Sequence, residues 1–274
     1  MLAAGVKLLD REMDPNHNRA VVTIAGTPDR IEEAAFLGVR AAAELIDLDR
    51  HRGEHPRIGA TDVVPFVPLA GVTMNECVAM ARRVGERIGR ELDIPVYLYE
   101  RAAMRPERRD LAYIRRGEYE TLKEEIATDP DRAPDFGPKG MGKAGATVVG
   151  ARPFLIAYNV NLKTNDLQIA KDIAKVTRER GGGLPTVKAL GFALEDRGIV
   201  QVSMNLTDFT VSGMLRAFNH VKREAERRGV QVLGSELVGL VPLESLTRLA
   251  AEALGLENFS SAQIVEMQLQ SSEE

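Results

Sequence analysis

Two histidines in one short segment are the residues whose type and spacing first suggest chemistry in this sequence. His51, Glu54 and His55 form the pattern H-x-x-E-H, which is the inverted signature of some zinc metalloproteases. Two histidines four residues apart bind one metal ion only where a helix places them on the same face. A glycine lies between these two, and Pro56 follows the second directly and disfavours a helix there. The sequence therefore predicts a loop, and we expect no metal site.

His55 is the better candidate for proton chemistry. Glu54 precedes it and offers a carboxylate to orient the ring, while Pro56 restricts the backbone and Arg57 supplies a cation for an anionic ligand. An imidazole with a reference pKa of about 6.5 can take up and release a proton near neutral pH. The segment thus predicts a general acid–base residue in front of a short apolar run.

The composition is that of an ordinary globular protein. The chain has 274 residues, 28% of them charged and 44% hydrophobic, with a formal net charge of −4. This balance gives no global basic surface for nucleic acid. The single cysteine, Cys77, cannot form an intrachain disulfide, which fits a reducing cytoplasm. Since no apolar run approaches ~20 residues and no secretory signal follows Met1, we expect a cytoplasmic protein with neither nucleic acid nor membrane as partner.

The apolar spacing of the first half predicts alternating strands and helices. Two strands at residues 5–10 and 18–26 are joined by a polar loop at 11–17. Further along we predict helices at 28–46 and 74–92, strands at 62–68 and 95–100, and a charged helical region at 105–127.

The second half has a more regular pattern. It predicts a strand at 154–162, a helix at 167–179, strands at 186–195 and 199–206, a helix at 211–228 and a strand at 230–233. This order, β-α-β-β-α-β, is the split unit of a ferredoxin-like sandwich. The first half looks like the same plan without its opening strand and helix. We therefore predict an α+β protein with two such subdomains, at residues 1–151 and 152–274, the first of them truncated.

A long glycine-rich segment lies between the two halves, from residue 134 to residue 150. Its glycines are Gly137, Gly140, Gly142, Gly145 and Gly150. Lys139 and Lys143 are interleaved with them, so that the backbone can approach a ligand closely and two ammonium groups can attract an anion. The segment lacks the G-K-[ST] ending of a P-loop. A flexible linker is the alternative, and we favour a ligand-binding loop because the flanking residues look ordered.

Seven segments, in unbroken order over nearly the whole chain, resemble the glutamate formimidoyltransferase family. They are LLDREMDPNHNRAVVTIAG, AAELIDLDRHRGEHPRIGATDVVPFVPLAGVTMNECV, ELDIPVYLYE, RAPDFGP, GATVVGARPFLIAYNVNL, QVSMNLTDF and GSELVGLVPLESL. The resemblance implies two ferredoxin-like subdomains around a folate tunnel. It also implies transfer of the formimino group from N-formimino-L-glutamate to N5 of tetrahydrofolate, a one-carbon reaction of histidine breakdown. Tetrahydrofolate would be a co-substrate, no metal would be needed, and we expect a homodimer.

The resemblance also assigns residues. It makes His55 the catalytic histidine and places its acidic partner at Glu12 or Asp14, between which the alignment does not decide. Arg19 and Arg57 are candidates for binding substrate carboxylates, with an ion pair within the protein as the alternative for each. The family's folate-binding loop corresponds to Gly137, Pro138, Lys139, Gly140, Met141, Gly142, Lys143, Ala144 and Gly145.

Two other functions are compatible with the same residues. A 5-formyltetrahydrofolate cyclase could use His55 in ring closure, and a non-catalytic folate-binding protein would bind folate without turnover. The family begins with a strand, a loop and a helix that precede the first residue of this chain. A start codon placed late, a truncated chain and a divergent member of the family are three explanations. On the first, we expect the encoding DNA upstream of Met1 to supply these elements.

Overall fold

A computed structural model of the protein describes residues 1–14, 18–53 and 55–271, without the side chains of residues 14, 270 and 271. The chain forms two compact units, Met1–Pro153 and Phe154–Glu274. Each unit buries apolar clusters of its own. Among the described residues, no helix is long and apolar enough to cross a membrane.

The first unit combines an antiparallel hairpin with a parallel three-stranded sheet. Its elements are β1 (Lys7–Asp14), β2 (Arg19–Ala25), α1 (Pro28–Leu45), β3 (Val63–Phe66), α2 (Met74–Glu91), β4 (Val96–Glu100), α3 (Leu111–Ile114), α4 (Glu118–Glu125) and β5 (Thr147–Ala151). β5 lies in the centre of the sheet and pairs in parallel with β3 on one side and β4 on the other. The strands of this unit thus belong to two sheets, which with its helices give the predicted α+β class.

Helix α2 shows how local sequence builds this unit. Thr73 and Glu76 form a reciprocal capping box, in which the Thr73 hydroxyl accepts from the Glu76 backbone N–H and the Glu76 carboxylate accepts from the Thr73 N–H. The apolar face of α2 packs in the core with residues of β4 and β5. A side chain at Gly89 would come within 2.6 Å of the Gly137 backbone nitrogen. A glycine is needed there so that the helix can lie against the start of the glycine-rich loop.

The structure differs from the sequence-based prediction at β5. The stretch Thr147–Ala151 is a fully buried strand, whereas the apolar-spacing analysis places it at the end of a loop without periodicity. A central strand of a parallel sheet is buried on both faces, so its sequence is continuously apolar and does not alternate. Periodicity alone therefore misses it.

The predicted polar loop at 11–17 is also partly wrong. β1 continues through Asp14, and Asp14 pairs with Arg19 across the hairpin. Backbone hydrogen bonds extend the ladder beyond the apolar residues, since they do not depend on side-chain type. Apolar side chains of the hairpin, including Leu8, Leu9 and Met13, are exposed.

The predicted helical region at 105–127 is broken into short pieces. A 3₁₀ turn (Pro106–Arg109), α3 and α4 replace one long helix. The break before α4 falls at Gly117 and Glu118, which both have a positive φ. Glycine adopts this left-handed conformation readily, and it ends the preceding turn.

The second unit confirms the predicted β-α-β-β-α-β order. Its elements are β6 (Ile156–Leu162), α5 (Leu167–Thr177), β7 (Val187–Leu194), β8 (Ile199–Leu206), α6 (Met214–Glu226) and β9 (Val232–Val238), followed by α7 (Leu243–Leu254) and α8 (Val265–Ser271). The antiparallel sheet has the order β7-β8-β6-β9. One face of this sheet packs against α5 and α6. The other face carries polar side chains that include Asn159, Asn161 and Gln201.

Candidate functional site

The loop that contains both histidines is held against the end of the β1–β2 hairpin. The His51 Nε2 donates to the Asn18 carbonyl over 2.8 Å, and the Asn18 amide nitrogen donates to the Arg52 carbonyl over 2.7 Å. Residues 51–53 and His55 adopt no regular secondary structure, which confirms the predicted loop. Glu54 and His17 lie outside the described residues. The Asn18 contacts bring two segments that are over 30 residues apart into one place.

His55 lies against Arg19, the first residue of β2. The Arg19 Nη1 is 2.9 Å from the His55 Nε2. A guanidinium can only donate, so this contact uses the lone pair of Nε2 and requires a neutral ring with its proton on Nδ1. In this contact the imidazole is neutral, and its Nε2 is the atom that can accept a proton. His55 is partly exposed, which leaves it accessible to a ligand.

Both candidate acids lie on β1, in the hairpin that contains Arg19. Glu12 pairs with Val21 and Asp14 pairs with Arg19 in the strand register. Asp14 is thus the nearer to Arg19 along the backbone, with Glu12 two residues further away. The side chain of Asp14 is outside the described part of the chain. The assignment of an acidic partner to His55 stays a prediction.

Arg57 is engaged within the protein. Its guanidinium is buried and donates to both oxygens of Glu120 over 2.9 and 2.7 Å, with Glu118 at 3.4 Å. The Arg57 hydrogen bonds lower the pKa of Glu120 to about 2, and the same pairing raises the pKa of Arg57. The Arg57 carbonyl accepts from the Tyr119 backbone N–H. In this arrangement Arg57 ties the histidine loop to α4, and its predicted role in binding a substrate carboxylate stays untested.

Sequence reasoning missed a partly buried acid just after the histidine loop. The Asp62 carboxylate accepts from the Ile58 backbone N–H over 2.8 Å and pairs with Arg115. Burial raises the pKa of Asp62, and the charges of Arg115 and Arg19 act against that shift. Asp62 therefore lies within electrostatic reach of the arginine that contacts His55. The sequence holds no local signal for this pair, since Arg115 is 53 residues away.

The glycine-rich loop is anchored at both ends. The Gly145 backbone bridges to Gly59, and the Lys143 and Ala144 carbonyls accept from the backbone of Leu48 and Ala60 over 2.8 Å. Gly137 and Gly145 have positive φ values of 83° and 71°, and a side chain on either would collide with a neighbouring backbone carbonyl. These contacts favour an ordered loop over a flexible linker.

A cleft of about 530 Å³ opens along this loop, which is within the range of small-molecule sites. Its lining residues are Ala43, Leu92, Asp93, Ile94, Pro138, Gly140, Met141, Gly142, Lys143, Ala144 and Gly145. A side chain at Gly140 or Gly142 would meet nothing within 4 Å, so the backbone there is open to a ligand. Lys139 and Lys143 are exposed, and neither ammonium makes an ion pair within the described residues.

A buried ion pair that the sequence analysis did not identify holds the start of this loop. Arg108 and Asp135 are 2.8 Å apart, with side chains 1% and 6% exposed. The second Asp135 oxygen accepts from the Leu98 backbone N–H, and the Arg108 guanidinium also donates to the Ala133 carbonyl. Such a pair is fully hydrogen-bonded, which a buried charge requires. It fixes the segment that leads into Gly137.

The described residues contain no group of three or more His, Cys, Asp or Glu side chains that could hold a metal ion. Cys77 is buried on α2, as its apolar neighbours predict, and burial raises the pKa of its thiol.

Comparison with known proteins shows similarity along almost the whole chain. Residues 2–152 match the family described as formiminotransferase domain, N-terminal subdomain, and residues 157–268 match the formiminotransferase domain. The chain is 52% identical over 267 residues to a glutamate formimidoyltransferase of Thermoplasma acidophilum, covering 97% of this chain and 88% of that protein. It is 49% identical over 256 residues to a glutamate formimidoyltransferase of Streptococcus pyogenes serotype M1, covering 93% and 85%.

A bifunctional relative matches over part of its length. The formimidoyltransferase-cyclodeaminase of Mus musculus is 46% identical over 254 residues, which are 90% of this chain and 47% of the mouse protein. The chain therefore spans about half of that relative.

Proposed function

The chain belongs to the formiminotransferase family, and on that premise we propose that it transfers the formimino group of N-formimino-L-glutamate to N5 of tetrahydrofolate. The observation that supports this most directly is the pairing of His55 with Arg19. It provides a proton acceptor beside a cation that can bind a carboxylate. The glycine-rich loop and its cleft offer a second binding region, suited to folate.

His55 would move the proton that the reaction must relocate. N5 attacks the amidine carbon, a new C–N5 bond forms, and the Nε2 of His55 takes the proton from N5. The bond between that carbon and the glutamate nitrogen then breaks, and the imidazolium returns the proton to the departing nitrogen. The products are 5-formiminotetrahydrofolate and glutamate, and proton transfer of this kind contributes about 10²- to 10⁴-fold to a rate.

Arg19 would connect substrate binding to the availability of this base. Without substrate its guanidinium occupies the lone pair of the His55 Nε2. The carboxylates of N-formimino-L-glutamate are stronger acceptors for a guanidinium than an imidazole is, because a charged acceptor strengthens the hydrogen bond. When Arg19 turns to the substrate, Nε2 becomes available to accept the proton from N5.

The glycine-rich loop would bind the anionic part of the folate. Lys139 and Lys143 are exposed on it, and folate carries glutamate carboxylates at one end. Open backbone at Gly140 and Gly142 allows close approach of the ligand.

The test is a comparison of His55→Ala with His51→Gln. His55→Ala should lower kcat for formimino transfer by about 10²- to 10⁴-fold and leave the Kd for tetrahydrofolate within a few-fold, since the imidazole acts on protons in the transition state. The glutamine of His51→Gln can still donate to the Asn18 carbonyl. The kcat and the Kd of this variant should therefore stay within a few-fold of the parent's values. Equal losses of affinity and rate in His55→Ala would make it a binding residue and would remove the mechanism.

The same assay separates the two alternatives. ATP-dependent ring closure of 5-formyltetrahydrofolate without formimino transfer would identify a cyclase, and tetrahydrofolate binding without turnover of either substrate would identify a binding protein.

A further inference from the structure

The backbone turn at residues 57–62, which begins two residues after His55, is bound at its first residue to α4. The Arg57 guanidinium donates to both oxygens of Glu120, and the Arg57 side chain is 10% exposed. The Arg57 carbonyl accepts from the Tyr119 backbone N–H over 3.0 Å. Because Tyr119 and Glu120 are neighbours in α4, one helix holds both the side chain and the backbone of Arg57.

The last residue of this turn is bound to the end of α3. The Asp62 carboxylate pairs with Arg115, which follows α3 directly, and both side chains are 19% exposed. The other Asp62 oxygen accepts from the Ile58 backbone N–H over 2.8 Å and closes the turn. Arg115 and Glu120 both belong to residues 115–120, here called the clamp segment. The turn therefore contributes a cation at one end and an anion at the other, and the clamp segment contributes the opposite charge to each pair.

The clamp segment has an unfavourable backbone conformation at a residue that contacts Arg57. Glu118 has a φ of 55°, in the left-handed region that residues with a side chain adopt only at a cost. The Glu118 carboxylate lies 3.4 Å from the backbone nitrogen of Arg57 and 3.4 Å from its Nη1. Such residues persist where surrounding contacts enforce them, and they are frequent at functional sites. The contacts to Arg57 are thus made by a conformation that local preference alone would not select.

Pro56 transmits the position of this turn to His55. A proline ring fixes its own φ at about −65° and restricts the preceding residue to extended conformations. One stiff residue therefore separates His55 from Arg57, whose backbone N–H and carbonyl are both hydrogen-bonded to the clamp segment. A displacement of Arg57 would consequently move the imidazole of His55 relative to Arg19, which it contacts over 2.9 Å.

We propose that the clamp segment positions His55 for proton transfer through the two ion pairs that it forms with the turn. These pairs are Arg57–Glu120 and Asp62–Arg115. The inference rests on the proposed function, since it assigns to His55 the proton of formimino transfer. Both terminal nitrogens of the Arg57 guanidinium are bonded within the protein, and two carboxylates surround it. Arg57 therefore acts through the position of His55 rather than on a substrate carboxylate.

Two single variants with opposite changes of charge test this positioning role. Asp62→Asn removes an anion and Arg115→Gln removes a cation, yet each breaks the same ion pair. Each should lower kcat for formimino transfer about ten- to a hundredfold, because a small displacement of a catalytic group has an effect of this size. Each should change KM by less than about threefold. If Asp62 acted through its charge alone, the two variants would change kcat in opposite directions, and the positioning role would be overturned.

A double variant and a matched control complete the kinetic test. In Asp62→Asn/Arg115→Gln the two amides can hydrogen-bond to each other, so kcat should return to within a few-fold of the parent's value. Arg83→Gln breaks an ion pair between α2 and α1 and should leave kcat unchanged. All rates are measured well below the melting temperature of each variant, so that a loss of folded protein does not lower kcat.

Hydrogen exchange of the backbone amides at residues 55–62 provides a readout that does not depend on activity. Both single variants of the full-length protein should exchange about tenfold faster there, because the segment opens more often when the ion pair is lost. The double variant and Arg83→Gln should exchange at the parent's rate. If the parent transfers formimino groups and the single variants keep its kcat, the positioning role is overturned and the proposed function stands. If the parent does not transfer formimino groups, the proposed function fails, and the exchange rates alone decide whether the ion pairs hold the segment that carries His55.

Discussion

Arg19 has two partners available to it, an imidazole within the protein and a carboxylate on the proposed substrate. Its contact with the His55 Nε2 is a hydrogen bond between an obligate donor and a neutral acceptor. A substrate carboxylate would compete with the imidazole for the guanidinium. It has the advantage of a negative charge and of two oxygens that can accept two parallel hydrogen bonds. In the proposed mechanism, Arg19 would exchange between these two partners when substrate binds.

Arg19→Gln should raise KM for N-formimino-L-glutamate about ten- to a hundredfold, because the variant loses a charge-assisted bond to the substrate. Arg19→Lys should recover only part of that loss, since lysine keeps the charge without the bidentate geometry. Steady-state kinetics would measure both, with Arg11→Gln on the exposed neighbouring strand as the control. A fall in kcat at unchanged KM would show that Arg19 acts through His55 rather than on the substrate.

Arg57 and Glu120 give a pH-dependent contribution to stability. The folded-state pKa of Glu120 is about 2, below its reference value of 4.5. A depressed carboxyl pKa stabilises the folded state above the unfolded value, and that contribution is lost as pH falls from about 4.5 towards 2. Because the Glu120 side chain is 57% exposed, water screens the pair and we expect about 1 kcal/mol.

Glu120→Gln should therefore lower the free energy of unfolding at pH 7. As the pH falls from about 4.5 towards 2, the free energy of unfolding of the variant should approach that of the parent. Urea unfolding between pH 2.5 and 7 measures the difference. Glu124→Gln, an exposed neighbour on the same helix, serves as the control. A parent–variant difference that is constant across the pH range would mean that the pair contributes nothing through ionisation.

The glycine-rich loop shows how an irregular element can be ordered without secondary structure. Its ends are bound to Leu48, Ala60 and Val96 by backbone hydrogen bonds. Between these anchors, Lys139 and Lys143 project from open backbone. The loop is thus positioned by its neighbours and retains a free surface for a ligand.

Replacing Lys139 and Lys143 together by glutamine should weaken the binding of polyglutamylated folate more than the binding of the monoglutamate. The reason is that each added carboxylate interacts with the positive charge of the same two lysines. The difference should shrink as salt is raised from 0.05 to 0.5 M, since screening shortens the range of charge interactions. Titrations at several salt concentrations measure it, with Lys163→Gln/Lys175→Gln on the second unit as the matched control. A salt dependence equal to the parent's would exclude the lysines from the site.

At the scale of the whole molecule, the second unit has a core that needs no residue of the first. Its buried cluster contains Ile173, Val202 and Val221, contributed by α5, β8 and α6 of the same unit. A β-α-β-β-α-β unit with a complete apolar core meets the requirements of an independent domain.

We therefore expect residues 154–274 to fold alone with a cooperative thermal transition, measured by circular dichroism. Within that fragment Ile173→Ala, at a fully buried position, should lower the free energy of unfolding by about 2–5 kcal/mol. Lys175→Gln on the exposed face of the same helix should leave it unchanged. A gradual, non-cooperative melt of the fragment would mean that this core depends on the first unit.

The sequence by itself determined the local features of this protein. The apolar spacing of residues 74–92 predicted α2, and Pro56 after His55 predicted the loop at the histidines. The spacing of apolar residues in the second half predicted its order of strands and helices. Each of these depends on neighbours within a few residues, and the preferences of a short segment are readable from its own sequence.

Only the tertiary structure decided which distant groups meet. Arg19 reaches His55 across 36 positions, Arg57 reaches Glu120 across 63, and Gln201 reaches Glu236 across 35. Such contacts depend on strand register and on which elements share a sheet. A register shift of one residue would turn every side chain of a strand to the opposite face. The choice therefore depends on the strand with which a segment pairs as well as on the segment's own alternation.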